Sequence, residues 1–145
     1  MDSELHRIAA ERLASAKQRY TATRKTIVEV LGAADRPLTL ADVLAGGNGT
    51  LAQSSVYRNL SLLEGSGVIR KVVAADEFAR FELAEDLSSH HHHLICSNCG
   101  TVADFTLPER VERSLNAALG SLASDRGFQD AHHRLDLVGT CSRCS

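Results

Sequence analysis

The placing of histidine and cysteine limits what this chain can become more than any other feature. All four cysteines fall in two CxxC pairs, Cys96/Cys99 and Cys141/Cys144; of seven histidines, His90 to His93 are consecutive and His132 and His133 are adjacent. Metal chemistry is the leading implication. Four thiolates held on two tight turns suit the closed tetrahedral coordination of a structural Zn²⁺. The 41 residues between Cys99 and Cys141 exceed a zinc-ribbon interval, so a strand, a helix and a second strand must fold to bring the pairs together. Metal binding would then be coupled to folding. Two disulfides are the competing reading and need an oxidising compartment; a thioredoxin-like motif needs only one CxxC in another context.

The histidine run leads into an apolar stretch, Leu94-Ile95. If residues 90–95 are extended, His90 and His92 project to one face and His91 and His93 to the other, so one strand can serve two metal sites. Were the run helical, only His90 and His93 would be close neighbours. Glu82, Asp104, Glu109, Glu112, His132 and His133 are the further candidate ligands. Imidazole suits Zn, Fe, Ni and Cu, and added carboxylates widen the choice toward Mn.

With 145 residues the chain fits one domain or two small ones. The expected division is 1–83, a hinge at 84–89 (AEDLSS), and 90–145. Residues 5–16 and a stretch after Tyr20-Thr21 carrying Ile27, Val30, Leu31 and Ala34 read as helices. Asp35-Arg36-Pro37 breaks the second, and Thr39 is a candidate N-cap for a short helix that ends at Gly46-Gly47-Asn48-Gly49. Ser54 or Ser55 can cap a helix through Glu64, with Val56, Leu60 and Leu63 on its apolar stripe. Residues 68–73 and 78–83 read as a hairpin. Helices followed by such a hairpin make a winged helix-turn-helix.

The last of those helices leaves Ser54, Ser55, Tyr57, Arg58 and Asn59 on or near the face that its apolar stripe leaves free. Such side chains can bond phosphates and base edges, although on an arbitrary amphipathic helix they would be a solvated face. Arg19, Arg24, Lys25, Arg70, Lys71 and Arg80 are further candidates for phosphate contact. Net charge is only −2. However, residues 1–80 carry 11 Lys and Arg against 9 Asp and Glu, whereas residues 81–145 carry 5 against 9; a mildly basic module precedes an acidic one.

After the hinge, the order strand, strand, helix, strand forms a small α/β module. Thr106-Leu107-Pro108-Glu109 offers a capping box, and Val111, Leu115, Leu119 and Leu122 form the helix's apolar stripe. No apolar run approaches the roughly 18 residues of a membrane span, and no export signal is visible, so a cytoplasmic, non-membrane protein is expected. No nucleophile or oxyanion signature is present. An enzymatic reading would need His90, His92 and His133 as zinc ligands with Glu109 or Glu112 as base.

Taken in order, SSVYRNLSLLEGSGVI, RFEL, HHHHLICSNCGTVADF and HRLDLVGTCSRC resemble the ferric uptake regulator family of bacterial metal-responsive transcription factors, over roughly residues 15–145. The resemblance implies an α+β dimer with an N-terminal winged-helix DNA-binding domain and a C-terminal α/β dimerisation domain. It also implies a structural zinc at Cys96, Cys99, Cys141 and Cys144, and a regulatory ion at Glu82, His91, His93 and Asp104. A second ion falls at His90, His92, Glu112 and His133, and Tyr57 with Arg58 forms the DNA-contacting pair. The function implied is repression of metal-uptake or metal-homeostasis genes through operator DNA, expected to be palindromic, or peroxide sensing within the same family. Pro37 falls near a histidine ligand of the iron and peroxide regulators, and Arg70 near an aspartate ligand of the zinc regulators. The helix after Cys99 is longer than in many members, which leaves Glu109 a rival to Glu112. His92, where iron regulators often carry Asp, favours Zn over Fe, Mn or Ni.

Overall fold

A computed structural model describes residues 3–145; residues 1 and 2, at the start of the expected DNA-binding domain, lie outside it. Four helices come first: α1 (Ser3–Ser15), α2 (Ala22–Ala33), α3 (Leu40–Gly46) and α4 (Gln53–Gly65). Thr21 caps α2, its hydroxyl accepting from Arg24 N. Thr39 and Asp42 form a reciprocal capping box on α3 at 3.2 and 3.1 Å. Each such cap satisfies amides that the first turn leaves unpaired, for about 1 kcal/mol. The Ser cap expected on α4 does not form. Ala52 is its N-cap, and Ser54 and Ser55 already lie within the first turn, where Ser55 Oγ donates to the Ala52 carbonyl.

Val56, Leu60 and Leu63 of α4 bury their stripe against Leu13, Ile27, Val28, Leu31 and Val43, and this core extends onto the sheet through Val68 and Phe81. That sheet has the order β1-β3-β2, with β1 (Leu38–Thr39), β2 (Ile69–Val72) and β3 (Arg80–Leu83) all antiparallel. β2 and β3 are the expected wing hairpin. The two-residue β1 was not foreseen because so short a segment has no period to read. Register places Arg70 opposite Glu82. In the loop of the wing, Asp76 pairs with Arg80 at 2.7 and 2.8 Å.

The segment 84–89 contains a 3-10 turn at Glu85–Leu87. Arg12 of α1 pairs with Asp86 in that turn and donates to the Gly67 carbonyl. Beyond it, β4 (His92–Cys96), β5 (Val102–Phe105) and β6 (Asp136–Gly139) form a second sheet in the order β5-β4-β6. β5 runs antiparallel to β4, with His93 opposite Asp104, and β6 returns parallel to β4 after α5 (Glu109–Asp125). The Thr106–Glu109 capping box is not made: Pro108 is the N-cap, so Thr106 stands two residues too early.

The apolar stripe of α5 finds little cover within the chain. Leu122 is 52%, Phe128 70% and Val138 59% exposed. Among the described residues no helix is long and apolar enough to cross a membrane.

Candidate metal centres

Three ligand clusters form, each with donor atoms within 4.8 Å of one another: Cys96, Cys99, Cys141 and Cys144; Glu82, His91, His93 and Asp104; and His90, His92, Glu112 and His133. Alternation produces the last two: β4 turns His92 and His93 to opposite faces, and His90 and His91, just before the strand, join them in the same alternating order.

In the cysteine cluster all four thiols are free. The parallel β4–β6 pairing sets Cys96 opposite Gly139, which carries Cys141 to the knuckle. Cys96 Sγ accepts from the amides of Cys99 and Cys141 at 3.5 and 3.4 Å. Those amides, with that of Asn98, bring its thiol down to about 6. The hydroxyl of Thr101, 3.0 Å from Cys99 Sγ, lowers that thiol too. Cys144 is the opposite case: although Asn98 favours its thiolate, the neighbouring Cys141, burial, Cys99 and Cys96 push it up to about 11. Thiolate therefore forms most readily at Cys96, and zinc coordination would have to displace the proton of Cys144.

The hinge cluster draws Glu82 from the wing strand, His91 and His93 from the start of the second sheet, and Asp104 from β5. Glu82 Oε2 lies 2.9 Å from His91 Nε2 and 3.1 Å from His93 Nε2, and Asp104 stands 3.8 to 3.9 Å from the same nitrogens. Each ring is oriented from behind: His91 Nδ1 bonds the Ser89 carbonyl at 2.8 Å, and His93 Nδ1 faces Asp136 at 3.5 Å. Such backing fixes which nitrogen is presented to an ion. Burial opposes ionisation of Glu82, but hydrogen bonds from His93 and His91 and the charges of His93 and Arg70 hold it at about 2. Asp104 is raised by burial and by Glu82.

In the third cluster His92 bonds Glu112. His133 and His90 approach the other Glu112 oxygen at 3.1 and 3.3 Å, and the two Nε2 atoms of His90 and His133 face each other at 3.2 Å. Two imidazole nitrogens this close share one proton or one ion. Glu85 backs His90 Nδ1 at 2.7 Å. The fold brings Glu112, not Glu109, to this cluster. Glu109 is solvated at the start of α5, facing Arg113, and His132 is likewise exposed. Asp104 Oδ1 and Glu112 Oε2 are buried without a hydrogen-bond partner among the described residues. An ion in each cluster would satisfy one of these orphaned oxygens, so the residues present fit divalent metal.

On α4, Tyr57 and Arg58 are exposed beside Ser54. Arg19 is also exposed, but Arg24 is committed internally, donating to Asn59 Oδ1 at 2.9 Å and to the Arg19 carbonyl at 2.6 Å. Asn59 in turn donates to the Ser55 carbonyl. Arg70 and Arg80 are likewise paired, with Glu82 and Asp76. Sequence reasoning overlooked the supports Ser89, Asp136 and Glu85; a carbonyl or carboxylate behind a ring leaves no local signal.

A winged helix followed by an α/β module, with side chains of both, imidazoles and carboxylates, gathered in one cluster, fits the class of metal-responsive DNA-binding regulators. The chain belongs to the ferric uptake regulator family, whose model matches residues 15–138. Its members are transcription regulators, not enzymes. It is 32% identical over 140 residues to the peroxide operon regulator of Bacillus subtilis, covering 94% of this chain and 91% of that protein. To the ferric uptake regulation protein of Bordetella parapertussis it is 34% identical over 128 residues, with 86% and 87% covered. Its fold is similar to the Pseudomonas aeruginosa ferric uptake regulator with manganese (TM-score 0.70, 25% identity, 91% and 96% covered). It is also similar to the Helicobacter pylori ferric uptake regulator (TM-score 0.71, 22% identity, 97% and 91% covered).

Proposed function

We propose that this chain is a cytoplasmic, homodimeric repressor of metal-uptake or metal-homeostasis genes that binds a palindromic operator when its hinge cluster is filled, with zinc favoured there. The observation that carries this reading is the origin of the hinge ligands. Glu82 belongs to the wing, whereas His91, His93 and Asp104 belong to the second module. A bound divalent cation would supply Lewis-acid bonds to donors of both. Those four side chains converge in only one arrangement of the two modules, and ligand binding selects it. If that arrangement spaces two copies of α4 to match successive major-groove half-sites, operator and ion affinities rise together. The uncovered stripe of α5 with Phe128 and Val138 is the surface a second copy would bury. In this reading Cys96, Cys99, Cys141 and Cys144 hold structural zinc, and His90, His92, Glu112 and His133 hold a second ion.

Titrating Zn, Fe, Mn and Ni against the protein and a labelled palindromic duplex tests the proposal: an ion-dependent shift supports it, and equal binding with and without ion contradicts it. Ser54, Tyr57, Arg58 and Arg19 are the DNA contacts in this reading, with Arg24 and Asn59 bracing them. Arg58→Ala is expected to weaken operator binding and reduce the slope of log affinity against log salt by about one. Unchanged affinity and slope would remove α4 from the interface.

The pH dependence has a definite sign. Burial opposes protonation of His91, but the Ser89 carbonyl and Glu82 outweigh it and raise this imidazole above its ordinary value. Protonated imidazole cannot ligate, so ion affinity is expected to fall as pH drops, beginning above the usual histidine range. Competition titrations from pH 8 to 6, a window spanning roughly the free imidazole value, measure it.

Similarity to the peroxide operon regulator supports a second reading, in which hydrogen peroxide, activated by Fe(II) held at these ligands, would transfer one oxygen atom to a ligand histidine and leave as water. Mass spectrometry after peroxide treatment of the Fe(II)-loaded protein tests it: an oxygen adduct on His91 or a neighbouring cluster histidine supports peroxide sensing, and unmodified histidines contradict it.

A further inference from the structure

We infer that Arg70 tunes ion specificity at the hinge: by bonding one oxygen of Glu82, it competes with an ion for that oxygen, disfavours two-oxygen ligation by this carboxylate and so favours zinc over manganese. This rests on the reading of Glu82, His91, His93 and Asp104 as an ion site. Arg70 and Glu82 are directly opposite on the antiparallel pair β2–β3, where side chains of one face meet. Arg70 Nε lies 2.6 Å from Glu82 Oε1, with the two side chains 17% and 8% exposed. A guanidinium stays charged at every accessible pH and is geometrically rigid, so it does not release Oε1 by titration. The other oxygen, Oε2, faces both His91 and His93, whereas Oε1 lies between Arg70 Nε and His93 Nε2, 3.0 Å from the latter, so that guanidinium and ion would compete for it.

The consequence is a donor count. Two imidazoles and two carboxylates used through both oxygens could offer six donor atoms, which suits the octahedral, oxygen-rich preference of manganese. Where Arg70 outcompetes the ion for Oε1, the cluster supplies five, and four when Asp104 uses one oxygen. Four donors satisfy zinc. Arg36 borders a cavity with Glu82, His91 and Asp104 but is turned toward Asp42 at 3.3 Å. The charge of Arg70 opposes all divalent ions alike, so it weakens absolute affinity and cancels in the ratio between two ions. The ratio is therefore the informative quantity.

The test uses the full chain with zinc in its cysteine cluster and His133→Ala to silence the third cluster. Zn and Mn affinities are measured by chelator competition, and Co(II) absorption reports coordination number. In Arg70→Gln both ions are expected to bind more tightly, and the preference for zinc to shrink about tenfold. The intense absorption of four-coordinate Co(II) should give way to the weak bands of higher coordination. Arg70→Met serves as the second variant should Arg70→Gln fail to fold. Glu82→Gln separates the two ways of failing. If Glu82→Gln leaves ion binding unchanged, the hinge reading itself falls. If Glu82→Gln loses binding while Arg70→Gln keeps the zinc-to-manganese ratio and the Co(II) spectrum, Arg70 merely braces Glu82 and the inference is overturned.

Discussion

Cys96→Ser is expected to strip zinc from the knuckle and to leave residues 90–145 unfolded or monomeric. The reason lies in how little else holds that module together. Its buried apolar residues are Ile95, Cys96 and Val102, while Val111, Leu119, Leu122, Leu137 and Val138 all remain exposed. So small a core cannot offset the entropy of ordering such a length of chain. Zinc bound at these four thiolates would supply on the order of 10 kcal/mol or more of apparent folding free energy, which outweighs the few hydrogen bonds around the cysteine cluster, such as Ser97 N to the Gly139 carbonyl. Metal analysis, sedimentation and circular dichroism check the outcome together. A Cys96→Ser protein that stays folded and dimeric without zinc would show that the cysteines are not the staple.

The second large effect concerns the hinge. His91→Ala removes an Nε2 donor and the Ser89 link but touches neither the knuckle nor α4. It should therefore leave zinc content and dimerisation intact while erasing most of the ion-dependent gain in operator affinity. That gain is expected to be about 5- to 150-fold, the usual span of coupling between sites. His90→Ala, which alters the other histidine cluster, is the matched control and should retain the gain. Gel-shift titrations at fixed salt distinguish them; equal loss in both would place the coupling elsewhere than the hinge.

Both expectations begin in residues whose arrangement was largely legible before the fold was known. Alternation of four imidazoles along an extended segment depends only on strand geometry, and β4 keeps it even though its ladder starts at His92. The helices of the first module were readable from apolar spacing because their stripes enter a core. The apolar spacing of α5 was equally clear, yet its stripe stays open, since periodicity announces an amphipathic helix without naming what covers it. Where side chains meet across the fold, the sequence was silent. The Arg24–Asn59 bond joins residues 35 apart, and Arg70 meets Glu82 only through strand register. Charge alone made both arginines resemble phosphate contacts. Glu112 and Glu109 were rivals because one helical turn separates them; placing α5 against His92 brings in the former.

The most direct measurement is a thermodynamic cycle: operator affinity with and without ion, and hinge-ion affinity with and without operator, on one zinc-replete preparation. Linkage through Glu82, His91, His93 and Asp104 requires both ratios to exceed one and to be equal. Hinge-ion affinity that is indifferent to the duplex would contradict it.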